Sequence, residues 1–243
     1  MPTSTAPRSE AATNNPPQRC RLCAARRICQ IGQLPPNHQE RLEPLIHEVD
    51  FAKGELLQEQ GAGTEVLRAV KLGTVMLSRR GPDGVDRPVG LIGRGHLLDH
   101  GGLLEQTTVA SAQALSPGRL CELPMAALRA NSLADPVFLS AVHASMAHSW
   151  GRLADWGQVM RLRGLRRQLV NTLLLLGEEQ GSRTVRLPTH VALAALLGTS
   201  RESVARTLRS LALDGHLRRV DRWHAELGSS HTAVFQDERT EDR

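Results

Sequence analysis

Between Val49 and about Met125, apolar residues come in short runs or alternate with polar ones, as in Glu55–Leu57, Val66–Val70, Thr74–Leu77 and Val89–Ile92. Glycine-containing turns separate these runs, among them Lys53-Gly54, Leu72-Gly73, Gly81-Pro82-Asp83-Gly84 and Gly93-Arg94-Gly95. Short strands at such close spacing predict a small antiparallel barrel or sandwich. Ahead of it, Asn37 to His47 predicts a short helix with apolar Leu42, Leu45 and Ile46. After it the period changes. From Pro136 onward, Leu139, Val142, Met146, Trp150, Leu153, Trp156 and Met160 recur at steps of 3, 4, 4, 3, 3 and 4. That spacing predicts a long amphipathic helix whose narrow apolar seam pairs with a second copy of the chain, giving a homodimer. A helix packed on its own domain is the competing reading. Gly164 breaks the pattern, and Leu165 to Gly177 predicts a further helix carrying core leucines.

The C-terminal part reads as helix, turn and helix. Thr189 suits the N-cap of a helix from His190 to Leu197, Gly198-Thr199-Ser200 forms a tight turn, and Ser200 caps a helix from Arg201 to about Leu213. At ~100° per residue, Val204, Leu208 and Leu211 share one face of the second helix. The other face presents Arg201, Glu202 and Arg206 from its N-terminal half, where a recognition helix meets base edges. Arginine can grip guanine O6 and N7, and glutamate can accept from the cytosine amino group. Leu217–Val220 and Trp223–Leu227 then predict a two-stranded wing. Thr189, Ser200, Arg201, Glu202 and Arg206 are the candidate DNA-binding residues, with double-stranded DNA as partner.

Charge supports that reading. The chain of 243 residues has a formal net charge of +5. Residues 161–224 hold 12 basic and 5 acidic groups, a net +7, whereas residues 1–160 are near balance and residues 225–243 are net −3. A basic excess confined to one short segment is the footprint of a polyanion-binding domain. The first 19 residues, rich in Pro, Ser, Thr and Asn, lack the apolar centre of a signal peptide and read as a disordered lead into a cytoplasmic protein. No apolar run approaches the ~20 residues that span a bilayer, so no membrane segment is expected. No paired catalytic carboxylates or nucleophile–base motif appear, so no catalytic residues are assigned and a non-enzymatic protein is expected. A metal-dependent enzyme is the weaker alternative.

The four cysteines add chemistry. Cys20, Cys23 and Cys29 form C-x2-C-x5-C, and Cys121 follows far along the chain. Four thiols can hold an iron–sulfur cluster, and C-x2-C is also a zinc half-site. Disulfides are disfavoured in a reducing compartment, and ordinary buried thiols remain an alternative. Arg19, Arg21, Arg26 and Arg27 lie beside the first three cysteines, where they would offset the negative charge of a thiolate-ligated centre. His96, His100, His143 and His148 read as structural rather than as haem ligands.

Leu193-Ala194-x-Leu196-Leu197-Gly198-Thr199-Ser200-Arg201-Glu202-Ser203-Val204-Ala205-Arg206 closely resembles the helix-turn-helix of the CRP/FNR superfamily. The predicted order of small barrel, long dimer helix and winged helix-turn-helix is also that family's order. The C-x2-C-x5-C spacing and the segment Ala112-Gln113-Ala114-Leu115…Cys121-Glu122-Leu123-Pro124 resemble the fumarate–nitrate regulator branch. That resemblance implies a [4Fe-4S] cluster on Cys20, Cys23, Cys29 and Cys121, and a response to oxygen or redox state. RNA polymerase is implied as a partner. Cyclic-nucleotide-binding members supply a Glu for the ribose and an Arg-Ser or Arg-Thr pair for the phosphate. His100 and Ala110-Ser111 occupy those positions here, so a cyclic nucleotide is not the expected ligand. Two features depart from the oxygen-sensing branch. The seam carries Leu153 with Asp155 lying off it, so the dimer should not depend on the cluster. Ala205 stands where that branch has a serine, so half-sites resembling TGTGA are expected over the TTGAT type.

The expected fold class is therefore α+β, with an N-terminal cyclic-nucleotide-binding-like β-barrel, a long dimerisation helix and a C-terminal winged helix-turn-helix. The expected organisation is a disordered lead (1–19), a cluster-binding segment and sensory barrel (20–133), the dimerisation helix (134–163), the DNA-binding domain (164–228) and a tail (229–243). A zinc-binding, differently liganded or constitutively active family member is the alternative.

Overall fold

The computed structural model describes residues 20–98 and 100–228; the lead, Asp99 and the tail lie outside the described residues. After two short 3₁₀ turns, α1 (Pro36–Leu42) leads through a third into β1 (His47–Phe51). The strands β2 (Leu56–Gln58), β3 (Val66–Leu72), β4 (Val75–Arg80), β5 (Asp86–Ile92), β6 (Leu97–Leu98), β7 (Ser111–Ala114) and β8 (Gly118–Pro124) follow. They form two four-stranded antiparallel sheets, ordered β1-β8-β3-β6 and β2-β7-β4-β5. Phe51, Leu57, Val70, Val75, Ile92, Leu98, Ala112, Ala114 and Leu120 fill the space between them. The expected N-terminal helix is shorter than read. It stops at Leu42 because Pro44 cannot donate to the next helical carbonyl, and His47 already belongs to β1.

The chain continues through α2 (Met125–Ala130), α3 (Pro136–Arg161) and α4 (Leu165–Gln180). A strand β9 (Thr184–Arg186) precedes α5 (His190–Leu197) and α6 (Arg201–Leu213), and β10 (Leu217–Arg219) and β11 (His224–Leu227) close the fold. These last strands form a three-stranded sheet ordered β10-β11-β9, one strand more than the wing expected. The mixed architecture of β-sandwich, long helix and winged helix-turn-helix is the one the sequence predicts. Helix α4 runs past Gly177 to a left-handed Gly181. Gly177 is an interior residue, where an added Cβ would sit 3.2 Å from a Leu227 methyl.

The long helix α3 does not turn its whole seam outward. Asp135 caps α3 by accepting from the Phe138 N–H at 3.0 Å, and Pro136 opens the first turn. Of the seven residues read as one partner-facing seam, Val142 and Trp156 are buried in the chain's own core, and Met160 packs against it. Only Leu139, Met146, Trp150 and Leu153 remain exposed, Trp150 at 76%. At ~100° per residue Val142, Trp156 and Met160 fall along one edge of the stripe, and that edge turns to the chain's own core. Trp156 donates its indole N–H to the Leu91 carbonyl at 2.8 Å. Its ring lies over Gly90, where any Cβ would fall 2.7 Å from it. The barrel and the helix-turn-helix unit thus share one core through Leu91, Trp156, Val159 and Leu169.

Candidate sensor pocket and nucleic-acid interface

The helix-turn-helix is built by local chemistry. The Thr189 hydroxyl accepts from Ala192 N–H at 3.2 Å, starting α5, and the Ser200 hydroxyl accepts from Ser203 N–H at 3.1 Å, starting α6. Both therefore serve as helix caps. Gly198 takes a left-handed φ of 61° in the turn between them. Val204, Leu208 and Leu211 are buried against α4 and α5, while Arg201, Glu202, Arg206 and Arg209 are exposed. The predicted reading residues thus share one solvent-facing surface, which Arg209 extends beyond the residues assigned from sequence. Partial burial, then the charges of Arg219 and Arg201, hold the His190 imidazole below its usual range, a sign of positive potential at this surface.

The four cysteines lie around one pocket beside the barrel. Cys20 and Cys23 lie on turns, with Cys23 N–H donating to Cys20 O at 3.2 Å and Cys29 N–H donating to Ala25 O at 2.8 Å. Gln39 of α1 donates to the carbonyls of Gly32 and Leu34 at 2.8 and 2.7 Å, fastening this segment to α1. Cys121 sits on β8, paired with Glu48 of β1 on one side and Ala69 of β3 on the other. All four thiols line one pocket, whose other walls are mostly apolar and include Ile46, Leu67, Ala69 and Leu123. Lys71 and Arg26 also reach it, and among the described residues no histidine or carboxylate lines it. Lys71 is ion-paired with Glu48. No disulfide joins the cysteines. Among the described residues, no three His, Cys, Asp or Glu side chains converge closely enough to hold a single metal ion.

Burial, with a smaller contribution from Cys29, pushes the Cys20 thiol up to about 11 and the Cys121 thiol up to about 12. Burial also raises Cys29. These groups are protonated at neutral pH in the metal-free protein, so any ligation by their thiolates releases protons and strengthens as pH rises. Of the flanking arginines, Arg21 is ion-paired with Glu40 and Arg26 donates to Gly32 O at 3.4 Å. Arg19 lies outside the described residues.

A buried polar cluster that the sequence reading missed joins this pocket to the DNA-binding unit. An added Cβ on Gly95 would lie 2.8 Å from Ile28 O and 3.2 Å from Cys29 N, so the Cys29 segment rests on the loop between β5 and β6. The next residue, His96, places Nε2 3.0 Å from Glu179 Oε2 of α4, and both side chains are 2% exposed. Arg152 of α3 donates to Glu179 Oε1 at 2.6 Å, to Glu178 Oε2 at 2.5 Å and to Leu175 O at 3.2 Å. Burial pushes the Glu179 carboxyl up, but His96 and Arg152 outweigh it and hold the group below its ordinary range. The available clue was two glutamates at the C-terminal end of α4, where the helix dipole disfavours acids.

Residues 48–131 match the cyclic nucleotide-binding domain family and residues 167–226 match the Crp-like helix-turn-helix domain family. The chain belongs to the CRP/FNR family of transcription regulators. No curated protein matches its sequence. Its fold is similar to FixK2 of Bradyrhizobium japonicum, with a TM-score of 0.65 at 17% identity over 79% of this chain and 96% of that one. It is also similar to the c-di-GMP-responsive global regulator CLP of Xanthomonas campestris, with a TM-score of 0.61 at 20% identity over 80% and 100%. A CRP-family regulator of Thermus thermophilus gives 0.61 at 20% identity over 78% and 95%. At these identities the likeness establishes the fold. No helix of the described part of this CRP/FNR regulator is long and apolar enough to cross a membrane. In its nucleotide-binding cassette, Ala110 is buried and the Ser111 hydroxyl accepts from Gln60 N–H at 3.0 Å, so Ser111 already has a structural partner.

Proposed function

We propose that this DNA-binding regulator senses oxygen or redox state through a [4Fe-4S] cluster held by Cys20, Cys23, Cys29 and Cys121, and reads an inverted repeat as a homodimer. The observation that carries this reading is that all four cysteines open on one pocket with no histidine or carboxylate among the described residues of its lining. That donor set suits an iron–sulfur cluster, which thiolates alone can hold. When bound, such a group would supply an oxidant-sensitive centre. Arg26 would lie beside its negative charge, Lys71 being already paired with Glu48, and the apolar walls would limit water access. A shift of the Cys29 segment would press on Gly95 and His96, and through Glu179 and Arg152 on α4 and α3. This contiguous contact path, rather than loss of the dimer, is how the DNA-reading surface would be told of the change. A promoter-bound dimer would then present its surface to RNA polymerase.

Changing any one of Cys20, Cys23, Cys29 or Cys121 to serine should remove or weaken a broad visible absorption, near roughly 400 nm for thiolate-ligated clusters, from anaerobically purified protein. A colourless wild-type protein would overturn the cluster assignment. The dimer follows from Leu139, Met146, Trp150 and Leu153, an exposed apolar face on α3. With no acidic residue among these four, the protein should remain dimeric by light scattering after aerobic exposure at micromolar concentration, and Trp150→Glu should dissociate it. A shift of the wild type to monomer on exposure to air would refute this.

A further inference from the structure

A groove runs between the base of the barrel and the small sheet of the DNA-binding unit, and both supply its walls. The barrel contributes Arg94, Thr74 and Ser116, and the other wall contributes Gln180, Arg186 and His224. The space is about 310 Å³, and among the described residues no carboxylate lines it. The Arg94 Nε is buried and has no hydrogen-bond partner among the described residues. A buried guanidinium N–H without an acceptor is unfavourable, so something with acceptor oxygens would stabilise it. The guanidinium lies against Gly181, where an added Cβ would fall 2.3 Å from its Nη2. Across the groove, Arg186 is positioned by backbone bonds. Its N–H donates to Gln180 Oε1 at 2.7 Å and its carbonyl accepts from Gln180 Nε2 at 2.9 Å, so these bonds do not use its guanidinium. The His224 ring is oriented by Asp221, whose carboxylate lies 2.8 Å from Nδ1 and outside the lining.

Two arginines and a histidine lining one space, with no carboxylate among the described lining residues, are a donor set that recognises phosphate oxygens. We infer that this groove binds a small phosphate-bearing anion, gripped by Arg94 from the barrel and Arg186 from the DNA-binding unit. Such a ligand favours the arrangement of the two units in which both arginines face it, so its occupancy shifts the affinity for DNA. This site lies apart from the cysteine pocket and does not depend on what that pocket holds.

The test uses the full-length protein titrated with pyrophosphate against chloride at matched ionic strength, followed by calorimetry and by thermal unfolding. Saturable binding and a raised unfolding temperature are expected. Arg94→Gln and Arg186→Gln, on opposite walls, should each weaken pyrophosphate about tenfold or more, while keeping the wild-type unfolding temperature in its absence. Arg206→Ala, on the DNA-reading surface, should bind pyrophosphate as the wild type does. No saturable binding, or binding that neither groove variant weakens, would overturn the proposal. Variants that lose affinity equally for all DNA sequences while pyrophosphate has no effect would also overturn it, and would make the groove a DNA-backbone contact instead.

Discussion

Glu179→Ala should destabilise the protein by about 3 kcal/mol, the low end of what removing one partner of a buried ion pair costs. Glu179 is the meeting point of three elements. His96 reaches it from the barrel and Arg152 reaches it from α3, while the residue itself belongs to α4. Its removal leaves the buried Arg152 with Glu178, Asp155 and the Leu175 carbonyl as partners, and Glu178 and Asp155 are largely in solvent. His96 keeps the Ser149 hydroxyl at 3.3 Å. The pH dependence follows from the same carboxylate. Its folded value is held below the ordinary 4.5 of a glutamate, so its stabilisation is fully present above about pH 4.5 and is lost as pH falls through the lower folded value. Urea unfolding at pH 7 and between pH 5 and 3 checks both parts. The variant should be weaker at pH 7 and should lose less stability on acidification than the wild type. Equal stability at pH 7 would mean that the pair only offsets its own desolvation.

Arg206→Ala should cost ~1–3 kcal/mol in each half-site and relax the preference at one base pair, because a bidentate arginine–guanine contact discriminates by that amount. A dimer meets two half-sites about one helical turn apart, so the loss is felt twice. Arg206 is exposed on α6 beside Arg201 and Glu202, with Val204 and Leu208 fixing the opposite face in the core. Replacing an arginine that touches only phosphate should weaken all sequences alike and leave the preferred site unchanged. Binding-site selection with the wild type and Arg206→Ala, at one fixed salt concentration, separates the two. An unchanged palindrome in the variant would show that α6 does not read bases through this residue.

The helix-turn-helix was legible because its determinants are local. Thr189, Gly198 and Ser200 set the caps and turn within a dozen residues, and Val204, Leu208 and Leu211 mark the buried face by period alone. Hidden features depend on distant partners. Periodicity showed that α3 is amphipathic but could not separate the face that meets a second chain from the face that meets Leu91. Trp156 was therefore read outward although it points inward. Strand β9 has only three residues and exists because β11 pairs with it. Glu178 and Glu179 fall beyond the helix read from sequence, and nothing local marks His96 and Arg152 as their partners. For the cysteines, the spacing of the first three was visible, but only the pairing of β8 with β1 and β3 brings Cys121 to the same pocket.

Metal and sulfide content tests most directly whether the four cysteines hold an iron–sulfur cluster. Protein purified without oxygen should contain about four iron atoms and four acid-labile sulfides per chain, as a [4Fe-4S] cluster requires, and should lose them in each cysteine-to-serine variant. Stoichiometric zinc with no labile sulfide in the wild-type protein would contradict the account.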